Sequence, residues 1–253
     1  MFKKFYIYFL VVLLFTGKLS AEEKPFLIFY VGSTMSRAMN EIAKVIEKRY
    51  DCNIDIVTGA SKTLYSLIKT SKKGDLYLPG SNSFRKNNLK DGYLKDAVYV
   101  GYNKACIFVK YKNPKNVKTL DDLLDENLAV MLCDPSKGSI GRETEKLLKK
   151  YKGKVFLDDV YNNSVRIALD SKDLYSALKN DKVDAVINWK ATMSWSKQKK
   201  FTLIKIDDRF SPKKKLYISL LSFSKYPMIE RELMKYTASP DGQKIMKKYG
   251  FLD

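Results

Sequence analysis

From residue 26 onward, short apolar runs alternate with stretches whose apolar residues recur at spacings of three and four, and this alternation most restricts the fold. The apolar runs at residues 26–31, 54–58, 75–78, 105–111, 128–132, 164–169, 184–189, 202–206 and 216–222 read as strands. Helical patterns lie between them, carried by Met39, Ile42, Ala43 and Ile46, by Leu64, Leu67 and Ile68, and by Leu174, Ala177 and Leu178. Strand, helix, strand is the unit of a parallel sheet, because a parallel neighbour needs a crossover. The pattern predicts an α/β architecture with largely parallel sheets flanked by helices. Thr119-Leu120-Asp121-Asp122 reads as a helix N-terminal cap, Ser239-Pro240 as a cap before proline, and Gly250 as the stop of the last helix.

The first 21 residues follow a different rule: Lys3 and Lys4 precede an apolar run from Phe5 to Phe15, and Leu19-Ser20-Ala21 precedes the polar Glu22-Glu23-Lys24. This is the layout of a cleaved secretory signal peptide, which implies a mature periplasmic chain. The apolar run falls short of the ~20 residues of a comfortable membrane span, so an uncleaved anchor is the lesser alternative.

Composition then removes function classes. The chain of 253 residues has no histidine, which excludes Ser-His-Asp and Cys-His nucleophilic sites, HExxH zinc sites and acid/base chemistry by imidazole. Cys52, Cys106 and Cys133 are too far apart for a metal-ligand spacing, and no paired-carboxylate, Walker or GxGxxG signal stands in for one. No catalytic residue, metal or cofactor is expected. Lys and Arg number 47 against 28 Asp and Glu, a formal charge of +19, but the lysines are spread along the chain. A solvated basic surface is the simpler reading than a nucleic-acid footprint.

What recurs is a small or hydroxyl-bearing turn between strand and helix. FYVGSTMS gives Gly32, Ser33 and Thr34; VTGASKTL gives Gly59, Ala60, Ser61 and Thr63; CDPSKGSIGRETEKLL gives Ser136, Gly138, Ser139 and Gly141; LDSKDLYSAL gives Asp170 and Ser171. One such turn is an ordinary N-cap. Four in one chain supply free backbone N–H groups, hydroxyls and helix dipoles, which are the parts of an anion site.

The segments GSTMSRAMNEIAKVIEKRY, VTGASKTLYSLIKTSKKGDLYLPGS, AVMLCDPSKGSIGRETEKLL, DLYSALKNDKVDAVINWKAT and SPDGQKIMKKYGF resemble, in order and spacing, the periplasmic substrate-binding proteins of molybdate/tungstate-type ABC importers. The resemblance implies a two-lobed type II periplasmic binding protein fold, each lobe a mixed, mostly parallel sheet flanked by helices. It implies one lobe of residues 22–102 plus 215–253 and another of 103–214, with hinges near 102–105 and 214–217. A small oxyanion, molybdate or tungstate, would be held between the lobes by Ser33, Thr34, Ser61, Ile140, Gly141, Ser171 and the aromatic position Trp189. The chain would act as a monomer that delivers this ligand to an ABC permease in the inner membrane, with no nucleic acid involved.

Two features depart from that pattern. Trp189 stands where a tyrosine hydroxyl is usual, and it donates only through its indole N–H. Arg142 and Lys62 add charge within the motifs, and a guanidinium can grip a carboxylate or phosphate in bidentate fashion. Arg142 either faces the ligand or points to water. Two further readings follow: the same fold with a small carboxylate or phosphorylated metabolite as ligand, or a secreted surface protein whose basic face meets anionic glycans.

Overall fold

The structure, a computed structural model, describes residues 23–196 and 200–253, so the expected signal peptide lies outside the described residues. The chain opens with β1 (Phe26–Gly32), a 3-10 turn (Ser33–Met35) and α1 (Ser36–Tyr50). It continues through β2 (Asn53–Gly59), α2 (Ser61–Ser71), β3 (Leu76–Leu78), α3 (Asn82–Asn88) and β4 (Leu94–Asn103). A second unit holds β5 (Ala105–Lys110), β6 (Val130–Cys133), α4 (Ser139–Asn162), β7 (Ser164–Ala168), α5 (Ser171–Lys179), β8 (Ala185–Trp189) and β9 (Phe201–Lys205). The chain then returns through β10 (Lys214–Leu221), α6 (Pro227–Ala238) and α7 (Pro240–Lys248).

Two five-stranded sheets result, ordered β2-β1-β3-β10-β4 and β7-β6-β8-β5-β9. In each, one half is parallel and the other antiparallel: β1 pairs in parallel with β2 and β3, and β6 with β7 and β8, while β10 and β5 pair in antiparallel fashion with both neighbours. The antiparallel halves contain the strands that carry the chain between the sheets. Lys104 alone separates β4 from β5, and residues 206–213 lead from β9 back to β10, whose first residue Lys214 pairs with Asn103. The two crossings therefore run side by side.

The helical spacing is explained by burial. Met39, Ile42 and Ile46 of α1 pack on Leu27, Phe29 and Val31 together with Leu233 of α6 and Met246 of α7. The second core joins Ile107, Val130, Leu132 and Ile187 to Leu147, Leu174 and Leu178. Helix α1 stops at Asp51, a left-handed residue with φ of 44° whose N–H reaches the Glu47 carbonyl. Ser239 caps α7 as expected, accepting from the Gly242 N–H, and Gly250 turns the chain at φ of 82°.

Two expectations change. β4 was not among the anticipated strands, because Lys95, Asp96 and Gly101 interrupt its apolar pattern; it is held instead by a long ladder with β10. The cap at Thr119 is not a helix start of the usual kind. A 3-10 turn (Asp121–Leu124) follows, and the Asp122 carboxylate accepts from the N–H groups of Lys118 and Thr119, so the carboxylate plays the part assigned to the hydroxyl.

One buried polar contact stands apart from the cores. Asp75, before β3, accepts from the Ile28 N–H at 2.7 Å and lies beside Glu230 of α6. Glu230 is fully buried and also accepts from the Ser224 hydroxyl and from the Tyr226 N–H. Burial, with the Asp75 carboxylate beside it, pushes the Glu230 carboxyl up to about 7.

Candidate ligand-binding cleft

Parallel strands that run the same way end on the same side, so the turns that follow them gather there. β1, β2 and β3 deliver their C-terminal ends to one wall of a cleft, and β6, β7 and β8 deliver theirs to the opposite wall. From the first unit, Gly32, Ser33 and Thr34 follow β1, Gly59, Ala60 and Ser61 follow β2, and Gly80 follows β3. The second unit contributes Gly138, Ser139 and Ile140 at the start of α4, Asp170 and Ser171 at the start of α5, and Trp189 at the end of β8. They enclose a cavity that leaves the centre of a water-sized sphere 20 Å³ to occupy. A single water needs ~10–15 Å³ of such space, so the closed cavity suits a compact group and not an extended one.

The donors are unusually free. The residues that cap the 3-10 turn, α2 and α4, which are Gly32, Ala60 and Gly138, make no side-chain hydrogen bond to the first-turn N–H groups. At α5 the Asp170 carboxylate accepts from the N–H groups of Lys172 and Asp173 at 2.8 and 2.9 Å. The single acid on the lining is thus turned into its own helix, and the Ser171 N–H is not among the groups it holds. Thr34 is buried, and its hydroxyl donates to the Met35 thioether at 2.9 Å, a weak acceptor. The Ser61 hydroxyl accepts from the Gly80 N–H at 3.0 Å, which leaves its own proton for the cavity, and Tyr77 fixes the Ser61 carbonyl at 2.9 Å. Asn188 braces the far wall, donating to the Ser171 carbonyl at 2.9 Å and accepting from the Trp189 N–H at 2.9 Å.

Six of the eight anticipated site residues line this cavity: Ser33, Thr34, Ser61, Ile140, Ser171 and Trp189. Gly141 and Arg142 do not. Gly141 serves packing: a Cβ there would lie 2.2 Å from the Asp134 carbonyl oxygen, so only glycine lets α4 approach the end of β6. Arg142 lies one position further round the helix and leaves the cavity wall. Its guanidinium crosses to the first unit and stacks 3.5 Å over the Phe84 ring, with Nη2 buried and without a hydrogen-bond partner. Burial lowers its pKa. Lys62 is exposed.

Gly80 is the lining residue that its motif did not announce. A Cβ on it would lie 2.3 Å from the Ser139 hydroxyl, so the two walls come close where glycine meets serine. Among the described residues no cluster of carboxylates and thiols could hold a metal ion. The three cysteines are free and buried; burial pushes the Cys106 thiol up to about 11 and Cys133 to about 12, so neither supplies a thiolate.

Residues 27–252 match the profile of the bacterial extracellular solute-binding proteins. A Haemophilus influenzae protein named only as a candidate binding protein is 24% identical over 226 residues, which cover 89% of this chain and 90% of that one. The structure of L-phospholactate-bound PEB3, a Campylobacter jejuni protein, superposes with a TM-score of 0.73 at 18% identity over 90% of this chain and 99% of its own. The periplasmic molybdate-binding protein of Azotobacter vinelandii gives a TM-score of 0.76 at 13% identity, again over 90% and 99%. At such identities the two structures establish a shared fold.

Proposed function

The chain belongs to the bacterial extracellular solute-binding proteins, and from that premise we propose that it captures a small tetrahedral oxyanion, molybdate or tungstate, between its two units and passes it to an ABC permease. It is a binding protein and not an enzyme, as its family and structural relatives are. The observation that carries the oxyanion reading is the lining itself. The uncapped starts of the 3-10 turn, α2 and α4 and the hydroxyls of Ser33, Thr34, Ser61, Ser139 and Ser171 converge on 20 Å³, with no cationic side chain on the wall. Neutral donors fixed by the fold bind an anion without a counter-charge that would also attract every other anion.

Residues 22–102 with 215–253 act as one lobe and 103–214 as the other, and the adjacent crossings at Lys104 and 206–213 serve as the hinge. Closure brings both sets of donors onto one ligand, so ligand binding and closure are a single equilibrium. The monomeric chain works in the periplasm after removal of residues 1–21; no described helix is long and apolar enough to cross a membrane. The test is a thermal-shift series with molybdate, tungstate, sulfate and phosphate at fixed salt. A ligand at a thousandfold excess over its Kd adds about 4 kcal/mol of stability, and a shift with molybdate or tungstate alone is the expected result.

Arg142 supports a second reading, in which the ligand is a small carboxylate or a phosphorylated acid. A buried guanidinium nitrogen without a partner costs ~1–3 kcal/mol or more, which a hydrogen bond to an anionic group of the ligand would offset. The L-phospholactate held by PEB3 has this chemistry. A shift with phospholactate and none with molybdate selects this reading.

A further inference from the structure

The cleft lining carries no lysine, yet four lysines line one other cavity that shares no residue with the cleft. Lys104, Lys190, Lys205 and Lys213 wall it against Asp208 and Asp253, and the centre of a water-sized sphere has 340 Å³ there. Small-molecule sites commonly offer ~300–1,000 Å³. The walls come from every element that meets at the crossings. Lys104 is the first crossing and Lys213 belongs to the second, Tyr102 lies near the end of β4, Lys205 ends β9, and Lys190 follows β8.

Within this cavity one carboxylate is held in the way a bound anion would be. Asp253 accepts from the Tyr102 hydroxyl and from the Lys213 ammonium, with the Lys190 ammonium at 3.4 Å. Lys213 also lies 4.4 Å over the Tyr102 ring, which fixes the ammonium beside the hydroxyl. These donors hold the Asp253 carboxyl far below the usual carboxylate range. The group is nonetheless accessible: its side chain is 65% exposed. Exposed ion pairs each contribute only ~0–1 kcal/mol, so a solute with several negative charges can displace a single tethered one. Lys104 pairs with Asp208, and four ammonium groups against two carboxylates leave the cavity positive.

We propose that this hinge-side cavity is a second anion site, distinct from the cleft, which takes a small solute bearing two or more carboxylate or phosphate groups in exchange for the Asp253 carboxylate. The site is shared between both units and both crossings, so its occupant favours one relative placement of the units. Linkage then makes the hinge solute and the cleft ligand alter each other's affinity by the same factor.

The experiment is calorimetric titration of the mature chain with pyrophosphate and, separately, with citrate, at low and moderate ionic strength. The two probes distinguish phosphate from carboxylate preference. Binding of at least one is expected, weakened about tenfold or more in Lys190→Gln/Lys213→Gln and in Lys104→Gln/Lys205→Gln, and strengthened several-fold in Asp253→Asn. Thr34→Ala, which alters the cleft alone, leaves this binding in place. The proposal is overturned if neither the wild type nor Asp253→Asn binds either probe. It is equally overturned if Thr34→Ala abolishes the binding while the lysine variants, shown by circular dichroism to be folded, retain it.

Discussion

Replacing Gly80 by alanine tests whether closure is part of binding. Gly80 is not among the left-handed glycines, so an alanine backbone fits without strain. Its Cβ would stand 2.3 Å from the Ser139 hydroxyl and 3.1 Å from the Ser139 Cβ, but an ordinary 3.5 Å from the Ser61 hydroxyl in its own unit. A rotation of Ser139 relieves the first contact. The second remains, and the walls must part by a few tenths of an ångström. Overpacking of this kind costs ~1–3 kcal/mol. Because the clash arises only across the cleft, that cost falls on the closed state and appears as a ~5–150-fold loss of ligand affinity. The ligand-free protein, with its units parted, should melt within about 0.5 kcal/mol of wild type. Adding Ser139→Gly removes both clashing atoms, so calorimetry on the four members of the Gly80→Ala/Ser139→Gly cycle should show a positive coupling. Undiminished affinity in Gly80→Ala, or additive losses in the double variant, would refute the closure argument.

Thr34→Ala and Ser61→Ala should each weaken ligand binding by ~1–3 kcal/mol in the same calorimeter. Ser61→Ala should also lower the melting temperature of the free protein, since it leaves the Gly80 N–H without its acceptor. The Asp75 and Glu230 pair makes stability depend on pH. Glu230 holds its proton in the folded state to about pH 7 but releases it near 4.5 when unfolded, so stability falls as pH rises through that window, by up to ~1.4 kcal/mol per unit. Glu230→Gln keeps a donor facing Asp75 and should flatten the profile in urea unfolding; an unchanged slope would assign the dependence elsewhere. Arg142→Met should leave molybdate affinity within twofold and reduce phospholactate affinity at least tenfold, a contrast that separates the two ligand readings.

Much of this was legible in the chain because the parallel halves of both sheets obey a simple grammar. An apolar strand, a small turn and an amphipathic helix repeat, and the turns then gather without further instruction. Ser33, Thr34, Ser61, Ile140 and Ser171 lie at such turns, and all five line the cavity. Gly141 and Arg142 follow Ile140 in the same motif but do not line the cavity: Gly141 packs on the Asp134 carbonyl, and the Arg142 guanidinium lies over Phe84. β4 escaped because its strand character comes from pairing with β10, more than a hundred residues distant, and not from its own polar start. Gly80 escaped for a related reason: what it must avoid is Ser139 of the other unit, and such a constraint leaves no local trace.

The main-chain amides of the proposed ligand cleft have a peculiar mutational profile. No codon change except one to proline can delete an N–H at the starts of the 3-10 turn, α2 or α4, so side-chain drift along these turns can remove hydroxyls but not amides. The vulnerability moves to shape. A methyl group on Gly141 would meet the Asp134 carbonyl oxygen at 2.2 Å and the Cys133 carbonyl oxygen at 2.8 Å, both backbone atoms, so a residue that contributes no side chain becomes one of the least free to vary. Changes of ligand in such a scaffold should arise through the few side chains at the rim, while the amide cradle is inherited nearly intact.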